Sequence, residues 1–335
     1  MSNDFKSFQS LDMNQLCERI CENKTTLIIF HARPDGDAVG SAFALRDLLY
    51  AMDINSICLC DDEVPDRLRF ISEGAQGSVV PDDTLKFGHE RVISVDSASP
   101  SQLGNIFTRL LRNVDLMIDH HSTGTPHADN YIDTSASATG EIIYLMAAHL
   151  VRMGKIKEIP PRAINCMYAP ISSDTGGFKY SNTTTRTHMI AAKLIELGAD
   201  AAEINRRLFD MKSIGQICAE GEAARRLRVF DGGRIAATTV PYSSKIELDL
   251  TDEDLGAIIE IPRSLETAEV AFSIRQPEEK GFFRVSMRSN SEADVAKMCA
   301  EFGGGGHVKA AGCSLEADNI EQALEKVLEA VRKYI

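Results

Sequence analysis

Residues 25–37 read TTLIIFHARPDGD and join a run of apolar and β-branched residues to a loop that holds one histidine and two aspartates. The run at residues 25–30 predicts a buried β-strand, and residues 38–50 predict a helix after the loop. In α/β sheets, ligands bind at the loops that follow the carboxyl ends of parallel strands. This stretch therefore predicts a parallel α/β sheet with a candidate site beside its first strand.

Short apolar runs continue to alternate with helical stretches through the first 190 residues. Further strands are predicted at 55–60, 92–95 and 115–118, and helices at 138–153 and 163–168. Runs of this length do not distinguish a strand from a buried helix by periodicity, but their alternation with helices favours parallel strands. Residues 1–190 are therefore predicted to form an N-terminal parallel-sheet domain.

The remaining chain predicts a second, smaller lobe. Residues 191–230 carry charged helical patterns that predict a connector, and no strand is predicted between residues 182 and 230. Residues 231–335 begin at an Asp-Gly-Gly turn, return to strand-like runs and close with an amphipathic helix. The predicted architecture is two α/β lobes joined by a helical connector.

Composition and charge limit the classes of ligand. The chain has 335 residues, with 36 Lys and Arg against 49 Asp and Glu, for a net charge of −13. Such a surface repels long polyphosphate backbones but permits a short anionic ligand in a local site. The apolar runs are far shorter than the ~20 residues of a membrane span, and the N-terminus lacks a signal-peptide pattern. Eight scattered cysteines without a CxxC pair are typical of free thiols, so we predict a cytoplasmic protein without membrane association.

Four loops that follow apolar segments carry carboxylates or imidazoles. They are HARPDGD, the end of VISVD, IDHH and SSDTGGF, and their metal-competent side chains are His31, Asp35, Asp37, Asp96, His120 and Asp174. Taken singly, each also fits an ordinary turn or helix cap. Together, two histidines and four aspartates without a thiolate predict two hard or borderline cations that share a bridging carboxylate. Two such ions imply metal-assisted phosphoester hydrolysis.

A second candidate site lies in the C-terminal lobe, where four glycines run from Gly303 to Gly306 and lead into His307. Consecutive glycines let the backbone approach a ligand closely, and their N–H groups can form an anion site. Arg288, at the end of a strand-like run, could add a bidentate phosphate contact. The alternative is a flexible loop at a helix C-terminus.

The motifs HARPDGD, VISVD, IDHH, SSDTGGF, MRSN and FGGGGH occur in the order found in the DHH phosphoesterase superfamily, which this sequence resembles over nearly its whole length. The resemblance implies an N-terminal DHH domain and a smaller, mixed-sheet DHH-associated domain. The length is similar to that of the stand-alone nano-RNase and pAp-phosphatase branch. Its activities would be release of 5′-mononucleotides from oligonucleotides of about 2–5 nucleotides and conversion of 3′-phosphoadenosine 5′-phosphate (pAp) to AMP.

The resemblance also implies roles for individual residues. His31 and Asp35 would bind one metal ion, the second would be held by Asp37, His120 and Asp174, and Asp96 would bridge the two. His121 would face the scissile phosphate, with Asp119 supporting the histidines. Substrate would be held by residues of the second lobe, namely Arg288, Ser289, Gly305, Gly306 and His307. The implied ions are Mn²⁺, with Mg²⁺, Fe²⁺ or Co²⁺ as alternatives, and the implied oligomer is a homodimer.

Several alternatives stay open at this point. The same superfamily contains cyclic di-AMP and linear dinucleotide phosphodiesterases, and a non-catalytic nucleotide-binding regulator could use the same scaffold. A family II pyrophosphatase is disfavoured because the GGGGH motif does not resemble the C-terminal lobe of that family. An exonuclease acting on long DNA is disfavoured by the net negative charge of the chain. One departure from the family pattern is Pro170, which precedes SSDTGGF and predicts a bend in the approach to Asp174.

Overall fold

The computed structural model describes residues 8–72, 78–79, 88–106, 113–279 and 281–335. The chain divides into two compact units, Met1–Met211 and Lys212–Ile335. The boundary falls inside the predicted connector 191–230, whose helices are divided between the two units.

The first unit contains a six-stranded sheet in which every neighbouring pair is parallel. Its strands are β1 Thr26–Phe30, β2 Ser56–Leu59, β3 Ser78–Val79, β4 Arg91–Val95, β5 Leu116–Asp119 and β6 Asp129–Ile132. They lie in the order β3-β2-β1-β4-β5-β6, so the order reverses between β1 and β4. This confirms the predicted parallel α/β class. Crevices at such reversal points, outside the carboxyl ends of the strands, are where doubly wound sheets bind ligands.

The helices of the first unit are α1 Met13–Ile20, α2 Gly36–Tyr50, α3 Arg69–Ser72, α4 Thr139–Arg152, α5 Pro161–Asp174, α6 Thr185–Glu196 and α7 Ala201–Asn205. Helix α2 is buried along its length except at Tyr50. Its first half is rich in small residues that allow neighbouring helices to approach closely, namely Gly36, Ala38, Gly40, Ser41 and Ala42. Its N-terminus follows β1, which places the HARPDGD loop at the ligand-binding edge of the sheet.

Helices α2 and α5 are in especially close contact at Gly40. A Cβ atom at this position would lie 2.4 Å from Pro170 Cδ and 2.7 Å from the Cys166 carbonyl oxygen. The ring of Pro170 also approaches Gly140 of α4, where a Cβ atom would lie 2.4 Å from Pro170 Cβ. Pro170 lies inside α5, which continues as one helix to Asp174. The proline thus fills a space shared by three helices, two of which present a glycine to it.

We expect Gly40→Ala to lower the free energy of unfolding of the first unit by about 1–3 kcal/mol, because the added methyl group overlaps Pro170 and forces the helices apart. The control is Gly221→Ala, at a helical glycine of the second unit with open space around it, which should be neutral or stabilise by roughly 0.5–1 kcal/mol. Urea unfolding followed by circular dichroism measures both. Equal effects of the two substitutions would contradict the close contact at Gly40.

The second unit contains a mixed sheet in the order β11-β12-β10-β9-β8-β7, in which only β8 and β9 are parallel. Its strands are β7 Arg228–Phe230, β8 Ile235–Val240, β9 Val270–Arg275, β10 Phe282–Ser289, β11 Gly305–His307 and β12 Ala310–Glu316. Its helices are α8 Ile214–Arg225, α9 Tyr242–Glu247, α10 Glu260–Arg263, α11 Val295–Ala300 and α12 Ile320–Arg332. One sheet face packs against α11 and α12. The mixed sheet confirms the second lobe.

Some predicted elements differ from the structure. The expectation of no strand between residues 182 and 230 is wrong, because β7 pairs antiparallel with β8 from residue 228 onward. Three residues are too few to show periodicity, so only the pairing partner identifies this strand.

Each of the eight cysteines is a free thiol, as expected. Among the residues described, no helix combines the length and apolar character needed to cross a membrane.

Candidate metal centre

The loop between β1 and α2 supplies the first two candidate ligands. Asp35 is the N-cap of α2, and its Oδ1 accepts hydrogen bonds from the backbone N–H groups of Asp37 and Ala38 at 3.0 Å each. The ring of His31 donates from Nδ1 to the Ala32 carbonyl oxygen at 2.8 Å. That bond leaves the His31 Nε2 lone pair free to bind a cation. Capping and ligation are therefore compatible roles for this loop.

Asp96 follows β4 and is 2% exposed. Its backbone is left-handed, with φ of 54°, a conformation that aspartate and asparagine tolerate better than most residues. Its Oδ2 lies 3.6 Å from His31 Nε2, and its Oδ1 lies 3.7 Å from His120 Nε2. One carboxylate thus reaches toward both histidines, using a different oxygen for each.

Strand β5 ends at Asp119, and the two histidines that follow it in the IDHH segment face different partners. His120 points Nδ1 at the Ala136 carbonyl oxygen, 3.3 Å away, while its Nε2 lies 3.6 Å from Asp37 Oδ2 and 3.5 Å from Asp174 Oδ2. His121 donates from Nδ1 to Asp119 Oδ1 at 2.8 Å. This hydrogen bond raises the pKa of the His121 imidazole above its ordinary value, against the opposing effect of burial. Asp119 is therefore the orienting partner of His121.

Asp37 and Asp174 come from two helix ends that the packing brings together. Asp174 is the last residue of α5, and a Cβ atom at Gly36 would lie 2.4 Å from Ser173 Oγ, so the start of α2 closely contacts the end of α5. Asp37 accepts hydrogen bonds from the backbone N–H groups of Thr139 and Gly140 at 2.7 and 3.1 Å. The N-terminus of α4 therefore stabilises this buried carboxylate.

These residues form two groups that could each hold a metal ion, with candidate ligand atoms within 4.8 Å of one another: His31, Asp35 and Asp96 in one, and Asp37, His120 and Asp174 in the other. A third overlapping set is Asp96, His120 and His121. Two imidazoles and four carboxylates without thiolate suit Mn²⁺, Mg²⁺ or Fe²⁺. The structure thus brings together all six residues that the sequence singled out as ligands.

The charges within the cluster also fit bound cations. Burial, followed by repulsion from Asp37 and Asp35, raises the pKa of Asp96 well above its ordinary value. The same causes raise the pKa of Asp174. Buried like charges this close together are unfavourable unless protons or cations compensate them. A divalent cation in each group would provide that compensation.

The candidate substrate residues of the second unit lie on β10 and β11. Arg288 and His307 both pair with Ala310, from opposite sides of β12, so their backbones lie at one level of the sheet. Ser289 donates from its hydroxyl to the Ser291 carbonyl oxygen at 2.9 Å. Gly305 and Gly306 pair with Gly312 and Ala311. The side chain of His307 lies outside the described part of the structure.

The supporting residues in the helix α4 region were missed by sequence reasoning. Besides its N–H contact to Asp37, Thr139 donates from Oγ1 to Asp96 Oδ1 at 3.0 Å. The available signal was the SATGE stretch at the predicted helix start, because exposed helix N-termini bind anionic groups. Without a map of which strands are neighbours, nothing linked that stretch to Asp37 or Asp96.

Comparison with known proteins identifies two domains and two similar relatives. Residues 25–171 match the DHH family, N-terminal domain, and residues 232–333 match the DHHA1 domain. The bifunctional oligoribonuclease and PAP phosphatase NrnA of Thermus thermophilus is 30% identical over 91% of this chain and 89% of its own length. A probable NrnA of Streptococcus mutans is 30% identical over 91% of this chain and 95% of its own.

A solved structure supports the fold. The exopolyphosphatase-related protein of Bacteroides fragilis superposes with a TM-score of 0.87 at 22% identity and covers 96% of both chains. At that identity the likeness concerns the fold alone. Family membership rests instead on the two domain matches, which occur in sequence order, and on the 30% identity to NrnA. The chain therefore belongs to the DHH family, as a hydrolase of phosphoester bonds whose second unit is a DHHA1 domain.

Proposed function

We propose that this protein uses two divalent cations to hydrolyse short oligonucleotides to 5′-mononucleotides and pAp to AMP. The observation that carries the proposal is Asp96, whose two carboxylate oxygens lie 3.6 and 3.7 Å from the imidazole nitrogens of two separate candidate metal groups. A carboxylate shared in this way is the expected bridge of a two-metal phosphoesterase. The NrnA relatives, which by name act on oligoribonucleotides and pAp, support the substrate class.

The proposed roles follow from the geometry of the cluster. His31 and Asp35 would hold one cation, Asp37, His120 and Asp174 the other, and Asp96 would contact both. When bound, the cations would lower the pKa of a water and stabilise charge on the attacking and leaving oxygens. His121, held by Asp119 at 2.8 Å, would donate to the phosphoryl or leaving oxygen.

The preference for short substrates rests on two features of the chain. A net charge of −13 disfavours long polyanions, which need many lysine and arginine contacts. Arg288 and the glycines of β11, on strands that flank β12, would bind a terminal phosphate through the guanidinium and backbone N–H groups, together with Ser289 and His307. Mn²⁺ as the ion, a homodimer and a cytoplasmic location complete the proposal.

The test is hydrolysis of pAp, the dinucleotide pApA, an RNA 5-mer, an RNA 24-mer and cyclic di-AMP, each with Mn²⁺ and with EDTA. We expect kcat/KM on pApA to exceed that on the 24-mer at least about tenfold, because each phosphate of a long substrate must approach an acidic surface. EDTA should abolish turnover. The products, separated by ion-exchange chromatography, should be 5′-mononucleotides from pApA and AMP from pAp.

Other outcomes would redirect the assignment. Turnover of cyclic di-AMP alone would make the protein a signalling phosphodiesterase of the same family. Equal rates on the 24-mer and on pApA would reject the preference for short substrates. If no substrate is turned over with any divalent cation, the proposal is wrong, and a nucleotide-binding regulator becomes the better description.

A further inference from the structure

Residues 133–141, here called the support segment, run from the end of β6 into the first turn of α4 and contact three of the six candidate ligands. The Ala136 carbonyl oxygen faces His120 Nδ1 at 3.3 Å. The N–H groups of Thr139 and Gly140 donate to Asp37, and the Thr139 hydroxyl donates to Asp96. Since hydrogen bonds to the far side of a ligand fix its orientation, the position of this segment sets the geometry of the centre.

Arg186, the second residue of α6, binds both ends of the support segment. Its Nη1 donates to Asp133 Oδ2 at 2.9 Å, and its Nε donates to Glu141 Oε2 at 3.0 Å. The other oxygen of Glu141 accepts a hydrogen bond from Ser137 Oγ at 2.5 Å. One guanidinium group thus connects the first and last residues of the segment. Glu141 in turn binds Ser137 in the middle of the segment.

The burial of the two carboxylates makes their contact with the half-buried Arg186 energetically significant. The Glu141 side chain is fully buried, and Asp133 is 18% exposed. Exposed ion pairs contribute little, whereas removing the partner of a buried charge leaves an uncompensated carboxylate. The flat guanidinium also fixes the angle between two carboxylates in a way that an ammonium group does not. Loss of Arg186 should therefore move or loosen the segment.

We infer that Arg186 is a positioning residue of the metal centre, which acts by holding the support segment that orients His120, Asp37 and Asp96. The inference rests on the proposed function, in that these three residues are taken to bind cations. Arg186 itself contacts none of the six candidate ligands through the hydrogen bonds and ion pairs of the described residues.

The test is Mn²⁺ binding to the metal-free full chain by isothermal titration calorimetry. Arg186→Gln should weaken Mn²⁺ binding by roughly tenfold, the lower end of the effect of removing a direct hydrogen-bond partner of a metal ligand, because Arg186 acts one contact further from the ligands. Arg186→Lys, which restores the charge without the planar fork, should recover part of that loss. The matched control is Lys193→Ala in the same helix, whose ion pair with Glu196 is exposed, and it should leave Mn²⁺ affinity unchanged within about twofold.

A spectroscopic measurement and a second variant separate positioning of the ligands from general stabilisation of the fold. The visible absorption spectrum of the Co²⁺-loaded protein reports ligand geometry, and we expect it to change in Arg186→Gln and to return toward the native spectrum in Arg186→Lys. If Arg186→Gln does not fold, Asp133→Asn removes one end of the contact at a partly exposed carboxylate and should weaken Mn²⁺ binding in the same direction.

The outcomes are distinguishable. Unchanged Mn²⁺ affinity and Co²⁺ spectrum in a folded Arg186→Gln or Asp133→Asn variant, with only a lower free energy of unfolding, would overturn the inference while the proposed function stands. Failure of the unsubstituted protein to bind Mn²⁺ or Co²⁺ would overturn the proposed function and the inference together.

Discussion

Asp96→Asn should lower kcat on pAp and pApA by about 10³-fold or more. Stabilisation of phosphoryl charge by a cation is worth several kcal/mol, and each 1.4 kcal/mol corresponds to a factor of ten in rate. Asp96 faces both candidate metal groups, so the substitution weakens both. Asparagine keeps one oxygen acceptor for the Thr139 hydroxyl and suits the φ of 54°, so the variant should fold.

The same substitution should stabilise the metal-free protein. Burial and the nearby Asp37 and Asp35 disfavour the charged form of Asp96. A neutral amide removes that repulsion, so we expect the metal-free variant to gain about 1 kcal/mol, or roughly 2–4 °C in melting temperature for a unit of this size. Activity and stability should therefore change in opposite directions, which general misfolding would not produce.

Steady-state kinetics, Mn²⁺ titration calorimetry and thermal unfolding with and without Mn²⁺ check both expectations. Asp53→Asn is a matched control, because Asp53 is an exposed aspartate with φ of 59° outside the candidate metal groups, and it should behave like the unsubstituted protein. Asp35 belongs to one candidate metal group only. Asp35→Asn should therefore still bind one Mn²⁺ per chain, in the other group, with the affinity of the unsubstituted protein. If Asp96→Asn binds two Mn²⁺ with unchanged affinity, the bridging role is wrong.

Sequence reasoning identified the candidate ligands because of a simple property of parallel sheets. The carboxyl ends of all parallel strands lie at one edge of the sheet, so the polar residues that follow β1, β4 and β5 are expected at that edge, although His31 and His120 are far apart in the chain. The structure adds that these three strands are neighbours in the sheet. Asp174 does not follow a strand, and its proximity depends on the contact between the start of α2 and the end of α5.

The supporting contacts could not be predicted in the same way. Arg186 resembles any charged residue in the first turn of a helix, and its contacts with Asp133 and Glu141 join three elements whose relative positions no local pattern encodes. Pro170 predicted only a local bend, whereas its ring fills the space beside Gly40 and Gly140. Such features depend on which helices become neighbours, which periodicity within a single helix does not show.

Asp119→Asn should lower kcat on pApA by about 10²–10³-fold while leaving Mn²⁺ affinity within about threefold of the unsubstituted value. The carboxylate of Asp119 is 1% exposed and accepts the His121 Nδ1–H at 2.8 Å, and it is placed to stabilise the ring as a proton donor. The effect falls in the usual range for losing a general acid. Asp119 belongs to none of the three candidate metal sets among the described residues, so the cations should still bind.

The leaving group provides the decisive comparison for Asp119. A p-nitrophenyl ester of AMP releases a stable anion that needs little proton donation, so Asp119→Asn and His121→Asn should lose far less rate on this ester than on pApA. The double variant should be no slower than His121→Asn alone, because Asp119 acts through His121 and the two effects are not additive. Equal losses on both substrates would show that His121 stabilises phosphoryl charge instead of protonating the leaving oxygen. If Asp119→Asn keeps the kcat of the unsubstituted protein on pApA, Asp119 does not act through His121. The cations would then be the main source of catalysis.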